Sequence, residues 1–233
     1  MYLISNNKRI KITLIAITLL FISSSCFGQQ KLTEGKIIYS IEVNKAGGLT
    51  SQAINAMEAG KLIFNFKNRF FRSSLNIGST QHINIHDSKN HSGLSLIKAG
   101  NGKNYLIKMD RNALQQEAQK YEGMHYDLEN TTKKIAGYTC HKAIGSLKNG
   151  KKFVVFYTKS LQPLYANYDP RFKGLEGLPL EFQFNINKAN AQLTLTATEV
   201  KQGFQPSALF NTPTSGYREL TYNQLKSLRK NRQ

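Results

Sequence analysis

Three histidines, His82, His86 and His91, fall within ten residues and are the first candidates for chemistry, because clustered imidazoles bind transition metals. The spacing argues against a shared ion. On an extended strand His82 and His86 point to one side but stand about 13 Å apart, at about 3.3 Å per residue, far beyond metal-ligand reach. They read as the polar face of a strand, and no metal site is expected. Cys140 with His141 beside it has the residue types of a nucleophile and its base. Neighbours on a strand point to opposite faces, so the imidazole does not reach the thiol, and Cys140 reads as a half-buried structural residue. Gly93-Leu94-Ser95-Leu96-Ile97 resembles a nucleophile elbow but lacks its last glycine and lies in a strand pattern. With no phosphate loop, dinucleotide fingerprint or His-Glu-x-x-His motif, no catalytic residue and no cofactor are expected; a hydrolase is the least favoured reading.

The elements that would position such residues are mostly strands. Ile37, Tyr39, Ile41 and Val43 alternate with polar residues, as do Leu62, Phe64 and Phe66, and Leu180, Phe182, Phe184 and Ile186. Period-two alternation marks half-buried antiparallel strands. Further strands are expected over 69–77, 81–87, 94–99, 104–109, 133–138, 140–147, 152–159 and 192–200. Asn101-Gly102 and Asn149-Gly150 read as hairpin turns with positive φ at both central residues. Short helices are expected over 50–59, over 111–120 behind Asp110 as N-cap, and over 222–229 after Thr221. About ten strands with one apolar face each must curl or stack. The expected fold is mainly β (α+β): a curled antiparallel half-barrel wrapped over one to three short helices.

At the N-terminus, Lys8, Arg9 and Lys11 precede an apolar run over 12–22, then Ser23 to Ser25 and Cys26-Phe27-Gly28. This is the pattern of a secretory signal peptide over residues 1–28, leaving residues 29–233 as a single domain. The run is shorter than the roughly 20 residues a spanning helix needs, so no transmembrane helix is expected. Cleavage after Gly28 gives soluble secretion. Lipidation at Cys26 is the alternative, though Ser23 stands where a lipobox carries an aliphatic residue. Either route leaves Cys140 as the one thiol, so no internal disulfide is expected.

Beyond residue 28 the chain carries 29 basic and 14 acidic residues, a net +15. Such a surface attracts anionic partners. For an exported protein these are lipid headgroups, lipopolysaccharide or acidic glycans ahead of nucleic acid. The alternating aromatics Phe64, Phe66, Phe153, Tyr157, Phe182 and Phe184 have two readings. They form the core, or, in an incompletely closed half-barrel, they line a groove for an acyl chain.

Three motifs occur in order: Lys134-Ile-Ala-Gly137-Tyr-Thr-Cys140-His, then Phe153-Val-Val-Phe-Tyr157, then Phe172-Lys-Gly174-Leu-Glu-Gly177-Leu-Pro179-Leu. Together with Pro213 and Gly216-Tyr217 near the C-terminus, they resemble exported GLPGLI-type proteins, which are related to LolA-like lipoprotein carriers. The repeat block departs from that pattern at Glu176 and Pro179. The resemblance implies a half-barrel over helices, often around an apolar cavity, and it supplies no catalytic residue. Gly137, Cys140, Gly174, Gly177, Pro179, Pro213 and Gly216 read as structural positions of the motif. The expected function is a non-enzymatic periplasmic or outer-membrane-associated protein that binds a lipid or other amphiphile. The alternative is a basic structural or adhesion module that binds acidic polysaccharide or lipopolysaccharide without a cavity ligand.

Overall fold

The computed structural model describes residues 29–186 and 189–231; the expected signal peptide and Cys26 lie outside them. The chain is mainly β: a twelve-stranded sheet, not closed into a barrel, curls around short helices. In chain order the strands are β1 (Gln30–Leu32), β2 (Glu34–Lys45), β3 (Lys61–Lys67), β4 (Phe70–Ile77), β5 (Thr80–Asp87), β6 (Ser92–Lys98) and β7 (Asn104–Met109). Then follow β8 (His125–Ile135), β9 (Tyr138–Ser146), β10 (Lys152–Thr158), β11 (Leu161–Pro163), β12 (Leu178–Ile186), β13 (Ala191–Gln202) and β14 (Arg218–Leu220). The helices are α1 (Ser51–Glu58), α2 (Arg111–Ala118) and α3 (Tyr222–Asn231). The sheet order is β14-β7-β6-β5-β4-β3-β2-β13-β12-β10-β9-β8.

Two features correct the expectation of about ten antiparallel strands. The sheet is mixed, because β14 returns from the C-terminus to pair parallel with β7, and β1 pairs parallel with β11 as a separate two-stranded ribbon. These short strands lack the alternation that a sequence reading needs. The expected strand over 133–138 also crosses a turn: β8 ends at Ile135 and β9 begins at Tyr138, with Ala136 at φ 48° and Gly137 at φ 87° between them. This two-residue link has the paired positive φ values expected of a type I′ hairpin. At Asn101-Gly102 and Asn149-Gly150 only the glycine takes positive φ, and each sits in a longer loop closed by a bond from its own N–H to Ala99 or Leu147.

Alternation buries one face of nearly every strand. On the inner face Tyr39, Phe64, Phe71 and Phe182 meet edge to face, with Tyr39 to Phe64 at 5.0 Å and Phe64 to Phe71 at 5.0 Å. Each such burial contributes about 1.5–3 kcal/mol. The loop before β12 folds onto this face and adds Tyr168 and Phe172, whose rings pack on Phe71 at 4.9 Å and Phe182 at 5.0 Å.

The sheet also has an apolar outer cluster: Ile83, Ile85, Leu94, Leu96 and Leu106 are covered by Phe210 and Tyr217 of the segment that leads to β14. That segment is anchored by Gln205, whose carbonyl accepts from Lys67 at 2.8 Å and whose side chain accepts from Asn65 at 2.9 Å. Its N–H donates to the Glu34 carboxylate, and that bond together with the one from Lys67 at 3.1 Å holds the Glu34 carboxyl below its ordinary pKa. At the β14–β7 end of the sheet, α2 and α3 cover the inner face, with Ala113 and Leu225 clustered with Ile107.

Candidate functional site

The Asp110 carboxylate caps α2, accepting from the Ala113 N–H at 2.8 Å, and so fixes where the helix crosses the sheet. Leu114 then passes over Gly93, where a Cβ would come within 3.1 Å of the leucine methyl. Between α2, the 167–173 loop and the inner face of β3 to β7 lies a cavity of about 630 Å³, a size suited to a small organic ligand.

Its wall is two-sided. Leu62, Phe71, Leu75, Met109, Leu114 and Phe184 supply apolar surface. The floor is polar: Ser73, Asn84 and Ser95 lie side by side on three paired strands, flanked by His82 and His86 on β5. His82 Nε2 is 3.1 Å from the Ser95 hydroxyl, and His86 Nδ1 is 3.2 Å from the Tyr168 carbonyl. Burial pushes the His86 pKa down; the carbonyl of Tyr168 and the charges of Asp169 and Asp87 oppose that shift only in part.

Asp169 and Arg171 line the cavity from the 167–173 loop, joined by Nη2 to Oδ2 at 2.6 Å and Nε to Oδ1 at 3.0 Å. Burial alone would lower the arginine pKa, but the Asp169 charge and hydrogen bonds outweigh it and raise the value. The Tyr168 hydroxyl beside them is buried without a hydrogen-bond partner among the described residues. A second recess of about 240 Å³ adjoins the first and shares Lys120, Tyr121, Arg171 and Phe184 with it.

The aromatics singled out from the sequence divide. Phe64, Phe66 and Tyr157 lie in the packed core, at 0%, 4% and 1% exposure. Phe182, at 2% exposure, belongs to the same packed core and only backs the smaller recess; Phe153 borders that recess, and Phe184, 42% exposed, borders both cavities. The histidines on β5, expected only as the polar face of a strand, line the large cavity, and His91 joins them from the following turn. Among the described residues no group of three or more His, Cys, Asp and Glu side chains is placed to hold a metal ion.

Cys140 is buried on the face opposite His141, which packs toward Tyr157 with ring centres 6.0 Å apart. Burial pushes its thiol up to about 12, with the Lys133 charge opposing. Of the motif positions, Gly177 has φ 155° and a Cβ there would strike the Thr158 carbonyl at 2.2 Å, so the chain enters β12 only with glycine. Pro179 follows at the register shift between Phe156 and Tyr157, and its carbonyl accepts the Tyr39 hydroxyl at 2.8 Å. Gly174 and Gly216 also have positive φ, and Pro213 is half-buried in the outer segment.

The fold and cavity define an open, mainly β half-barrel with a two-sided recess beneath α2. No protein-family model and no curated protein sequence matches this chain. Among solved structures, PNGF-II is 18% identical over 84% of this chain and 33% of its own, at a TM-score of 0.49; the chain spans about a third of that protein's length. An uncharacterized conserved protein from Thermus thermophilus is 11% identical, over 80% of this chain and 90% of that one, at 0.43. A putative outer membrane lipoprotein-sorting protein domain from Vibrio parahaemolyticus is 13% identical, over 76% and 89%, at 0.22. All three fall below 25% identity and a TM-score of 0.5. The resemblance to GLPGLI-type proteins finds no matching family model.

Proposed function

We propose that this chain is an exported, non-enzymatic binding protein that holds an amphiphilic molecule in the cavity beneath α2. The observation that carries the reading is the cavity's division into an apolar wall from Leu62 to Phe184 and a polar floor of Ser73, Asn84 and Ser95. An amphiphile matches both surfaces, whereas water alone leaves the apolar wall unsatisfied. Binding suits the site better than catalysis because its titratable groups already serve structural contacts: Asp169 with Arg171, Glu117 with the Tyr222 hydroxyl, His86 with the Tyr168 carbonyl. Export rests on the sequence of residues 1–28. Among the described residues no helix is long and apolar enough to cross a membrane.

Uptake of a fluorescent fatty-acid probe tests the reading. Asn84 stands exposed on the cavity floor, so Asn84→Trp fills space without disturbing the core. The wild type and Asn84→Ala should bind the probe, and Asn84→Trp should lose most binding while melting at the same temperature. Equal binding by the Trp variant would place the probe elsewhere and overturn the assignment.

A further inference from the structure

The inner face of the sheet carries polar side chains that find no partner among the described residues. Ser73 on β4 is only 9% exposed, yet its hydroxyl makes no hydrogen bond to them, and neither does the Asn84 side chain directly across from it on β5. Both line the large cavity, as does His86, two residues beyond Asn84 on the same face. A buried hydroxyl without a partner costs stability, so packing alone does not account for this row.

His86 fixes what a partner must offer. Its Nδ1 is 3.2 Å from the Tyr168 carbonyl, which can only accept, so Nδ1 carries the proton and the neutral ring presents Nε2 as an acceptor. No described residue donates to Nε2. Burial works against the charged form of this imidazole, and it works equally against an ionised ligand group set beside it. The charged side chains of the lining leave that cost in place: Asp169 and Arg171 are paired with each other, and Arg111, Lys120 and Lys173 are exposed.

Directly opposed residues on paired strands stand about 5 Å apart, and residues two apart along a strand about 7 Å, so one small head spans all three side chains. We infer that Ser73, Asn84 and His86 form a neutral hydrogen-bonding subsite that selects amphiphiles whose uncharged head carries hydroxyl groups, as in a monoacylglycerol. One ligand hydroxyl donates to His86 Nε2, and another exchanges hydrogen bonds with the Ser73 hydroxyl and the Asn84 amide, while the acyl chain lies against the apolar wall. This rests on the cavity reading above and adds the chemistry of the head to it.

Binding of monolauroylglycerol, methyl laurate and laurate to the purified protein, at about pH 7.5 where neutral imidazole prevails, separates the possibilities. The three share one acyl chain and differ in the head: hydroxyls, no hydrogen-bond donor, or a charge. The glycerol ester should bind at least about tenfold more tightly than either of the others, a difference of about 1.4 kcal/mol. His86→Phe keeps a ring in place and removes the acceptor, and it should abolish most of that preference. Ser73→Ala, the smaller change, should reduce the preference in the same direction and decides the matter if His86→Phe folds poorly. The ratio between ligands is the readout, because a merely structural defect weakens all three alike. Equal affinity for the glycerol ester and the methyl ester, or tighter binding of laurate, overturns the subsite and leaves the cavity reading intact. A preference undiminished in Ser73→Ala also overturns it, and no binding of any of the three by the wild type overturns the cavity reading itself.

Discussion

Arg171 grips Asp169, two residues before it, through two parallel contacts at 2.6 and 3.0 Å, and its guanidinium lies 5.3 Å from the centre of the Phe182 ring. The pair ties the 167–173 loop to the aromatic inner face, and the Arg171 carbonyl accepts the Tyr126 hydroxyl from β8. One short loop thus joins the closing wall of the cavity to the far end of the sheet.

Asp169→Asn should therefore destabilise the protein by about 3 kcal/mol, the lower end for breaking a buried pair, because 22% of the Arg171 side chain remains exposed. Chemical denaturation measures this. Replacing both partners together, as Asp169→Leu with Arg171→Met, should cost less than the single change, since no unpaired charge is left behind.

Acid should weaken the fold through His86. Burial lowers its pKa from 6.5 in the folded state, so the unfolded chain takes up a proton more readily as pH falls. The contribution is fully present above about pH 6.5 and is lost as pH falls through the depressed folded value. Groups facing the ring are the Tyr168 carbonyl, Asp169, Asp87 and His91. Melting temperatures between pH 7.5 and 5 should fall more steeply for the wild type than for His86→Gln; parallel slopes would assign the acid sensitivity elsewhere.

The Cys140 thiol, buried and pushed up to about 12, should resist maleimide at neutral pH and react only on denaturation. Labelling of the native protein within seconds would contradict its burial.

Much of this architecture is legible in the sequence. Alternation marks β2, β3 and β12, Thr50 and Asp110 mark helix starts, and the curl follows from the number of apolar faces. The cavity is harder to read because β5 reverses the usual rule. Ile83 and Ile85 face outward with Leu94, Leu96 and Leu106, and the distant Phe210 and Tyr217 cover that side. Alternation says which residues share a face but not which face is covered, so from sequence His82 and His86 read only as the polar face of a strand. The loop bearing Tyr168, Asp169 and Arg171 has no periodic signal, and its role depends on docking against strands distant in sequence. Phe153 and Phe184 stand out by their alternation, and the structure sets them beside the smaller recess.

Native mass spectrometry of protein purified without detergent tests the central claim most directly. The account predicts a population carrying one small amphiphile per chain, removed by organic extraction, restored by adding oleate, and much reduced in Asn84→Trp. A uniformly unliganded protein that takes up no amphiphile when offered one would contradict it.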